Sequence, residues 1–442
     1  MDPVALLYKT FDPHIGVSTD SRSVKEGQIF FALHGPSFDG NLFADKALKA
    51  GASIAVVDRA DVVIKSDKRY LPVTDALSTL QQLSLLHRRT LRTPLIQVTG
   101  TNGKTTTKEL IAAALSVRYN VLATVGNLNN HIGVPLTLLR LLPDHQYGVI
   151  ETGANHPGEI GFLTRLVEPQ YGIITNVQKA HLEGFHDLPT ILRTKTALYD
   201  YLRRHDGTAI FNADNPLLAR LATTRKRVAY ASLSKMSCVA LSYSLTSANP
   251  CTLSWGLSHS KTQYTLRSHL AGDYNATNLA AALTTASLLG VPPADSNQVL
   301  ARYTPRLGRS QLLKTRSNTV LVDAYNANPD SMRAALRNFF TLEGKKKLLI
   351  LGQMNELGSA SLLEHQSLLS FIARYADSNV LRAILIGPNF DHAAPPSCDI
   401  EFLRVPSTSQ AALLLQQSNL KGYTILLKGS NTNRLESLLS LL

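Results

Sequence analysis

Short apolar runs separated by longer segments of helical period dominate the pattern of this chain. Leu95-Ile-Gln-Val98, Val121-Leu-Ala-Thr124, Tyr147-Gly-Val-Ile150 and Tyr171-Gly-Ile-Ile-Thr175 are runs too short for helices, which predicts buried strands. Between the first two, apolar positions recur at helical spacing from Lys104 to Arg118. The alternation returns in Thr319-Val-Leu-Val322, Lys347-Leu-Leu-Ile-Leu351, Val380 to Ile386 and Thr424-Ile-Leu-Leu427, with helical patterns over 330–340, 362–375 and 407–417. Strands alternating with helices predict an α/β fold, with mostly parallel sheets covered by helices on both faces. Upstream, Gln28-Ile-Phe-Phe-Ala-Leu33 and Ile54-Ala-Val-Val57 mark a smaller α/β unit. Residues 228–270 alternate and are rich in Ser and Thr, so an antiparallel insert is expected there. Arg302-Tyr-Thr-Pro-Arg-Leu-Gly308 follows an Ala-rich helix from about Asn278 to Leu289 and its successor, and reads as a linker.

The chain has 442 residues, which at roughly 100–200 residues per domain is compatible with three domains. The expected units are 1–90, a small N-terminal α/β domain; 91–305, a central domain; and 306–442, a C-terminal Rossmann-like domain. Hydrophobic residues make up 44% and charged ones 17%, which supplies several cores and excludes wholesale disorder. The three cysteines, Cys238, Cys251 and Cys398, are far apart, which excludes a disulfide scaffold and a cysteine zinc site. The opening Met-Asp-Pro-Val-Ala-Leu-Leu-Tyr-Lys lacks a signal-peptide layout, and no run approaches a membrane span, so a cytoplasmic protein is expected. Net charge is +13, from 45 basic and 32 acidic residues. The densest basic clusters, Arg88-Arg89 with Arg92, Arg225-Lys226-Arg227 and Lys345-Lys346-Lys347, are short and not interleaved with aromatics. They read as a solvated face or a general attraction for anionic substrates; no nucleic-acid partner is expected.

The strongest chemical signal follows the first of these strands. Thr99-Gly-Thr-Asn-Gly-Lys-Thr-Thr-Thr107 runs directly into a helix. A helix start presents unpaired amide donors and a positive dipole end to phosphate. Gly100 and Gly103 let the backbone approach phosphates closely, Lys104 supplies a point charge, and the Thr105 hydroxyl is placed to ligate Mg²⁺. Valine stands at position 98, where the strict Walker pattern has glycine, so this is a shortened P-loop and the central sheet is of P-loop type. Ligands of open parallel sheets sit outside the carboxyl ends of the strands. Two other strand ends carry Glu151 and Asn176, and His181 follows. Glu151 reads as a ligand of a hard cation. For His181 taken alone, a packing role and a metal role stand level, because imidazole is not favoured by Mg²⁺.

These residues resemble the Mur ligase family, and within it the type that adds D-alanyl-D-alanine to UDP-N-acetylmuramoyl-tripeptide (the MurF type). The resemblance runs from Thr19 to about Ser430. It is carried by Thr19-Asp-Ser-Arg22, Phe38-Asp-Gly-Asn41, the phosphate loop, Thr124-Val-Gly-Asn-Leu-Asn-Asn130 and Gly153-Ala-Asn155 with Gly158-Glu-Ile160. Ala180-His-Leu-Glu-Gly-Phe185, Asp323-Ala-Tyr-Asn-Ala-Asn-Pro-Asp-Ser331, Met354-Asn-Glu-Leu-Gly358 and Lys428-Gly-Ser430 complete it.

The resemblance implies ATP-dependent amide bond formation through an acyl phosphate, with two Mg²⁺ ions and a monomer. It implies that Gly100, Thr101, Asn102, Gly103, Lys104, Thr105 and Thr106 hold the ATP phosphates, with Asn275 and Asn278 at adenine, Arg309 reaching the nucleotide and Asp323 on the ribose. Thr105, Glu151 and His181 are then metal-site residues, joined by Lys195 as a carbamate formed with CO₂. Ser21, Arg22, Asn127 and Asn130 would hold the UDP substrate, and Tyr325, Asn326 and Asn328 would shape the acceptor side. Three residues depart from the family pattern: Thr152 for an apolar residue, His131 for a common glutamate, and Gln353 for a common aspartate. No residue presents itself as general base for the attacking amine. Rival readings are another ligase of the superfamily, such as the third-residue-adding enzyme or a folylpolyglutamate synthetase-like one, and a nucleotide-binding protein without catalysis.

Overall fold

The computed structural model describes residues 2–442 except 179–181, 186, 233–238 and 306–307. Three main sheets order the chain, of four, nine and six strands. In the central nine-stranded sheet the strand Leu95–Thr99 lies between Tyr171–Ile174 and Tyr147–Glu151, both parallel to it. All five of its residues are buried. Its side chains alternate between two cores, as a strand covered on both faces requires. Ile96 and Val98 join a cluster with Val149, Ile173 and Ile210 on one face, against the helices Lys104–Leu115 and Asn275–Leu288. Leu95 and Ile150 pack on the other face with Leu163 and Val167 of the helix Glu159–Val167. Small residues of the Asn275–Leu288 helix, among them Ala276, Ala280 and Ala282, let it press closely against the phosphate-loop helix.

The expected antiparallel insert is present in part, over 241–267, and it extends this sheet. Lys226–Ser232 and Leu241–Ala248 pair in parallel, and only Cys251–Leu257 and Gln263–Arg267 run antiparallel beyond them. Trp255 and Tyr243 are buried in the same core as Ile96 and Val98, so the extension shares the main hydrophobic contacts and does not fold as a separate hairpin.

In the C-terminal sheet the order is Gln311–Lys314, Thr319–Asp323, Thr424–Lys428, Lys347–Gly352, Val380–Ile386 and Glu401–Val405. All neighbours after the first pair are parallel. The strands Gln311–Lys314 and Glu401–Val405 are half-buried edges, which is why their apolar signal is weak in the sequence.

In two of the basic clusters one member leaves the solvated face while the others stay exposed. Arg88, on the helix Ala76–Leu91, is buried and donates through Nε to Val167 O at 2.9 Å and through Nη2 to Glu168 O at 3.1 Å. These are carbonyls at the C-terminal end of the Glu159–Val167 helix, where a cation is favoured and orphan acceptors need donors. The contact ties the N-terminal unit to the central sheet. Lys347 is likewise buried, donating to Phe340 O at 2.9 Å and paired with Asp377 at 2.5 Å. Among the described residues no helix is long and apolar enough to cross a membrane.

Candidate active site

A cleft of ≈ 770 Å³ opens at the carboxyl edge of the central sheet and is closed on its far side by the C-terminal unit. The phosphate loop forms its floor. Gly103 stands at the N-cap of the helix with φ +78° and no side-chain cap, so the first amides of that helix face the cleft without an internal acceptor from the cap. Its conformation also allows closeness: a Cβ at Gly103 would stand 2.7 Å from Asn278 Oδ1. The outer side of the loop is held by the neighbouring strand end. Asn102 N donates to Asn176 Oδ1 at 2.9 Å, while Thr175 Oγ1 and Asn176 Nδ2 donate to Asn102 O at 2.7 and 3.0 Å.

Lys104 is half-buried and donates to Thr101 O at 2.9 Å. Burial pulls its ammonium below the ordinary lysine value, Glu151 opposes that shift and Arg309 reinforces it. Glu151 is buried at the end of its strand. One carboxylate oxygen accepts from Asn129 Nδ2 at 2.8 Å, and its backbone N–H donates to Thr124 Oγ1 at 3.0 Å. The other oxygen, Oε2, is buried with no hydrogen-bond partner. A buried bare carboxylate oxygen is costly unless something positive meets it, which makes this atom a fitting ligand for a cation. Among the described residues no cluster of three His, Cys, Asp or Glu surrounds it. Thr105 and one carboxylate, completed by solvent or phosphate oxygens, would make an oxygen-rich, protein-poor set of the kind that suits Mg²⁺.

Lys195, on the helix Leu188–Arg204, is buried behind the loop and donates to Gly100 O at 2.9 Å. Burial, and then the charge of Lys104, push its amine well below the ordinary lysine value. A neutral amine is the form that reacts with CO₂, so the environment fits a carbamate. His181 lies outside the described residues.

From the C-terminal unit, Arg309 stacks over the Tyr325 ring with 3.5 Å to its centroid, and both line the cleft with Asn326. Asp323 also lines it; Oδ2 accepts from buried Lys428 at 2.8 Å, and Ser310 Oγ approaches Oδ1 at 3.4 Å. Asn328 is not a lining residue. It caps the helix Pro329–Phe340, accepting from Ser331 N at 2.9 Å, and donates across the domain boundary to Asn102 Oδ1 at 2.7 Å. Asn275 and Asn278 line the cleft as an internal pair, Asn278 Nδ2 donating to Asn275 Oδ1 at 3.0 Å.

Asn127 and Asn130 line the cleft, whereas Ser21 and Arg22 do not; Arg22 pairs with Asp20 on the surface of the N-terminal unit. The departures divide in the same way. Thr152 is buried and accepts from Gln97 Nε2 at 2.9 Å, so its hydroxyl serves packing. Gln353 bridges Asn355 and the Asn389 N–H away from the lining, and His131 lines the cleft. Asn129, Thr124, Ser310 and Lys428, in or beside the motifs quoted above, are site residues that the sequence does not mark as such, and Asn176 at its strand end joins them. Their role is to hold another site residue, and that signal appears only in space.

Three family models match in succession: the Mur ligase family catalytic domain over 15–88, the Mur ligase middle domain over 98–286, and the Mur ligase glutamate ligase domain over 308–431. A Bacillus subtilis protein named UDP-N-acetylmuramoyl-tripeptide–D-alanyl-D-alanine ligase is 35% identical, over 79% of this chain and 76% of its own length. The Escherichia coli protein of that name is also 35% identical, over 78% and 76%. Among solved structures, MurF from Acinetobacter baumannii has a TM-score of 0.83 at 29% identity, covering 96% of this chain and 92% of its own. MurF from Thermotoga maritima, solved in complex with ADP, has a TM-score of 0.82 at 24% identity, covering 100% and 98%, a likeness of fold. With a phosphate loop, a strand-end glutamate and a three-sheet architecture in place, and with relatives this similar over most of their lengths, the chain belongs to the Mur ligase family.

Proposed function

We propose that this protein joins D-alanyl-D-alanine to UDP-N-acetylmuramoyl-tripeptide at the expense of ATP, forming ADP and phosphate, in cytoplasmic synthesis of the peptidoglycan precursor. The observation that carries this is the single cleft in which Lys104, Thr105 and a half-bare Glu151 meet Arg309, Asp323 and Tyr325 of the C-terminal unit. The relatives' shared name supplies the substrates. Residues 91–305 then bind ATP, 306–442 serve the acceptor and reach the nucleotide, and 1–90 hold the UDP moiety through Ser21 and Arg22, acting as a monomer.

A carboxylate cannot be amidated directly, because oxide is a poor leaving group. Its oxygen attacks the γ-phosphorus of ATP, giving an acyl phosphate and ADP; the dipeptide amine then displaces phosphate at the acyl carbon. Loop amides and Lys104 hold the β/γ-phosphates in line, and Arg309 adds charge from the opposite wall. Mg²⁺, two ions in the full reading, would be held by Thr105, Glu151, His181 and the Lys195 carbamate, and would neutralise phosphate charge as a Lewis acid. The Asn102–Asn328 bond joins the phosphate loop to the C-terminal unit beside the cleft and supports a closed state that keeps water from the acyl phosphate.

The test is phosphate release from ATP with UDP-N-acetylmuramoyl-tripeptide, with and without D-alanyl-D-alanine, and with single amino acids in its place. Full turnover should require the dipeptide. Lys104→Ala should lower turnover at least about 10²-fold and leave the fold intact, because Lys104 makes one bond to its own loop. Near-normal turnover in that variant, or a preference for a single amino acid, defeats the proposal.

A further inference from the structure

We propose that His156 is the base that takes the proton from the dipeptide amine as it attacks the acyl carbon. This rests on the ligase function proposed above. His156 lies five residues beyond Glu151 in the loop that leaves the same strand, and its ring lines the cleft. One carboxylate fixes both loop and ring. Glu159 Oε2 accepts from the N–H groups of Asn155 and His156 at 2.7 and 3.0 Å, and Glu159 Oε1 lies 3.3 Å from His156 Nδ1. A carboxylate facing Nδ1 selects the tautomer with its hydrogen there and leaves the Nε2 lone pair as acceptor, the arrangement of a base oriented by a third group. Among the described residues no hydrogen bond to Nε2 is found, and the side chain, which lines the cleft, is 68% exposed.

Position on the cleft wall matters as much as chemistry. A Cβ at Gly184 would stand 2.1 Å from Asn155 O and 3.2 Å from His156 Cδ2, so the short helix Leu182–Phe185 is pressed onto this loop. The same helix meets the C-terminal unit: Glu183 N donates to Glu356 O at 3.4 Å, and a Cβ at Gly358 would stand 3.4 Å from Glu183 Cβ. His156 therefore stands where the strand edge bearing Glu151 meets the C-terminal unit, the side from which an acceptor carried by that unit approaches. Of the other carboxylates lining the cleft, Glu151 accepts from Asn129 through one oxygen, Asp323 is paired with Lys428, and Asp330 sits in the first turn of the helix Pro329–Phe340. His131 lines the cleft as well, without an orienting carboxylate bonded to its ring among the described residues.

The step balances without any further reagent. The amine lone pair forms the C–N bond, its N–H proton passes to His156 Nε2, and the C–O bond to phosphorus breaks with its electron pair leaving on phosphate. The imidazolium then returns the proton to solvent.

Activation and aminolysis can be read separately. In ATP labelled with ¹⁸O at the β,γ-bridge, reversible acyl-phosphate formation scrambles the label when UDP-N-acetylmuramoyl-tripeptide is present and the dipeptide is withheld. In His156→Gln, ligation should fall about 10²–10⁴-fold, while scrambling stays within about twofold of wild type because that half-reaction moves no amine proton. Unchanged ligation, or scrambling lost in parallel with it, overturns the assignment. If the wild-type protein neither scrambles nor ligates, the ligase function itself fails and this inference with it.

Discussion

Gly100 offers the sharpest test of how the phosphate loop is built. Its φ is +147°, and a Cβ there would stand 1.9 Å from Thr175 Oγ1 and 3.1 Å from Thr175 N. Alanine thus adds two costs. The backbone conformation is one L-residues rarely adopt, about 1–3 kcal/mol. The methyl cannot be relieved by a side-chain rotation alone, since Thr175 N is strand-end backbone, which adds about 1–3 kcal/mol of overpacking. The expected loss is about 2–6 kcal/mol, a large share of the ~5–15 kcal/mol that holds a domain folded. Gly126 is the control: its φ is +59° and nothing lies within 4 Å of a Cβ built there. Gly126→Ala should cost only the left-handed strain, about 1–2 kcal/mol. Multidomain unfolding normally blurs such comparisons. Here the one tryptophan, Trp255, is fully buried in the central sheet, so its fluorescence in urea reports that unit. Gly100→Ala should also lose ATP binding, because relieving the contact with Thr175 displaces the loop that carries Gly103 and Lys104. If the two variants unfold at the same urea concentration, the close approach of loop and strand end described here is wrong.

Three further outcomes follow from the site. Lys195→Ala should be inactive, and short carboxylic acids such as acetate should restore part of the turnover by replacing the carbamate; an active variant removes the carbamate. In CO₂-free buffer the unfolded chain holds a proton on Lys195 below the ordinary value of 10.5, over a range in which burial keeps the folded amine neutral. Central-unit stability should therefore rise with pH across that range in wild type and be flatter in Lys195→Met, read by Trp255 fluorescence. Asn328→Asp keeps a good helix cap but replaces the amide that donates to Asn102 with a carboxylate facing the phosphate loop. ATP affinity measured by calorimetry should weaken about tenfold, equivalent to about 1.4 kcal/mol, with the thermal unfolding midpoint unchanged; unaltered affinity would show that the contact does not couple the two units.

The phosphate loop was legible before any coordinates because its chemistry is local: a buried strand, two glycines that turn left-handed, a lysine and a helix start lie within ten residues. Glu151 was legible for a related reason, as it ends a buried apolar run and strand ends of parallel sheets share one edge. Weakly apolar edges were not. Gln311–Lys314 and Glu401–Val405 bury too little to imprint a period, and the parallel pairing of Lys226–Ser232 with Leu241–Ala248 leaves no mark in either segment alone.

What the sequence alone determined is the set of reactive groups and their local backbone, since strand, turn and helix preferences act over a few residues. Which groups support them was decided only by the fold. Asn328 reaches Asn102 across 226 residues, Lys195 reaches Gly100 across 95, and Arg88 finds the end of a helix 79 residues away. Each of these is a polar group whose burial demands a partner. Composition states that demand; only chain topology says who meets it, because the sheet order brings distant strands side by side.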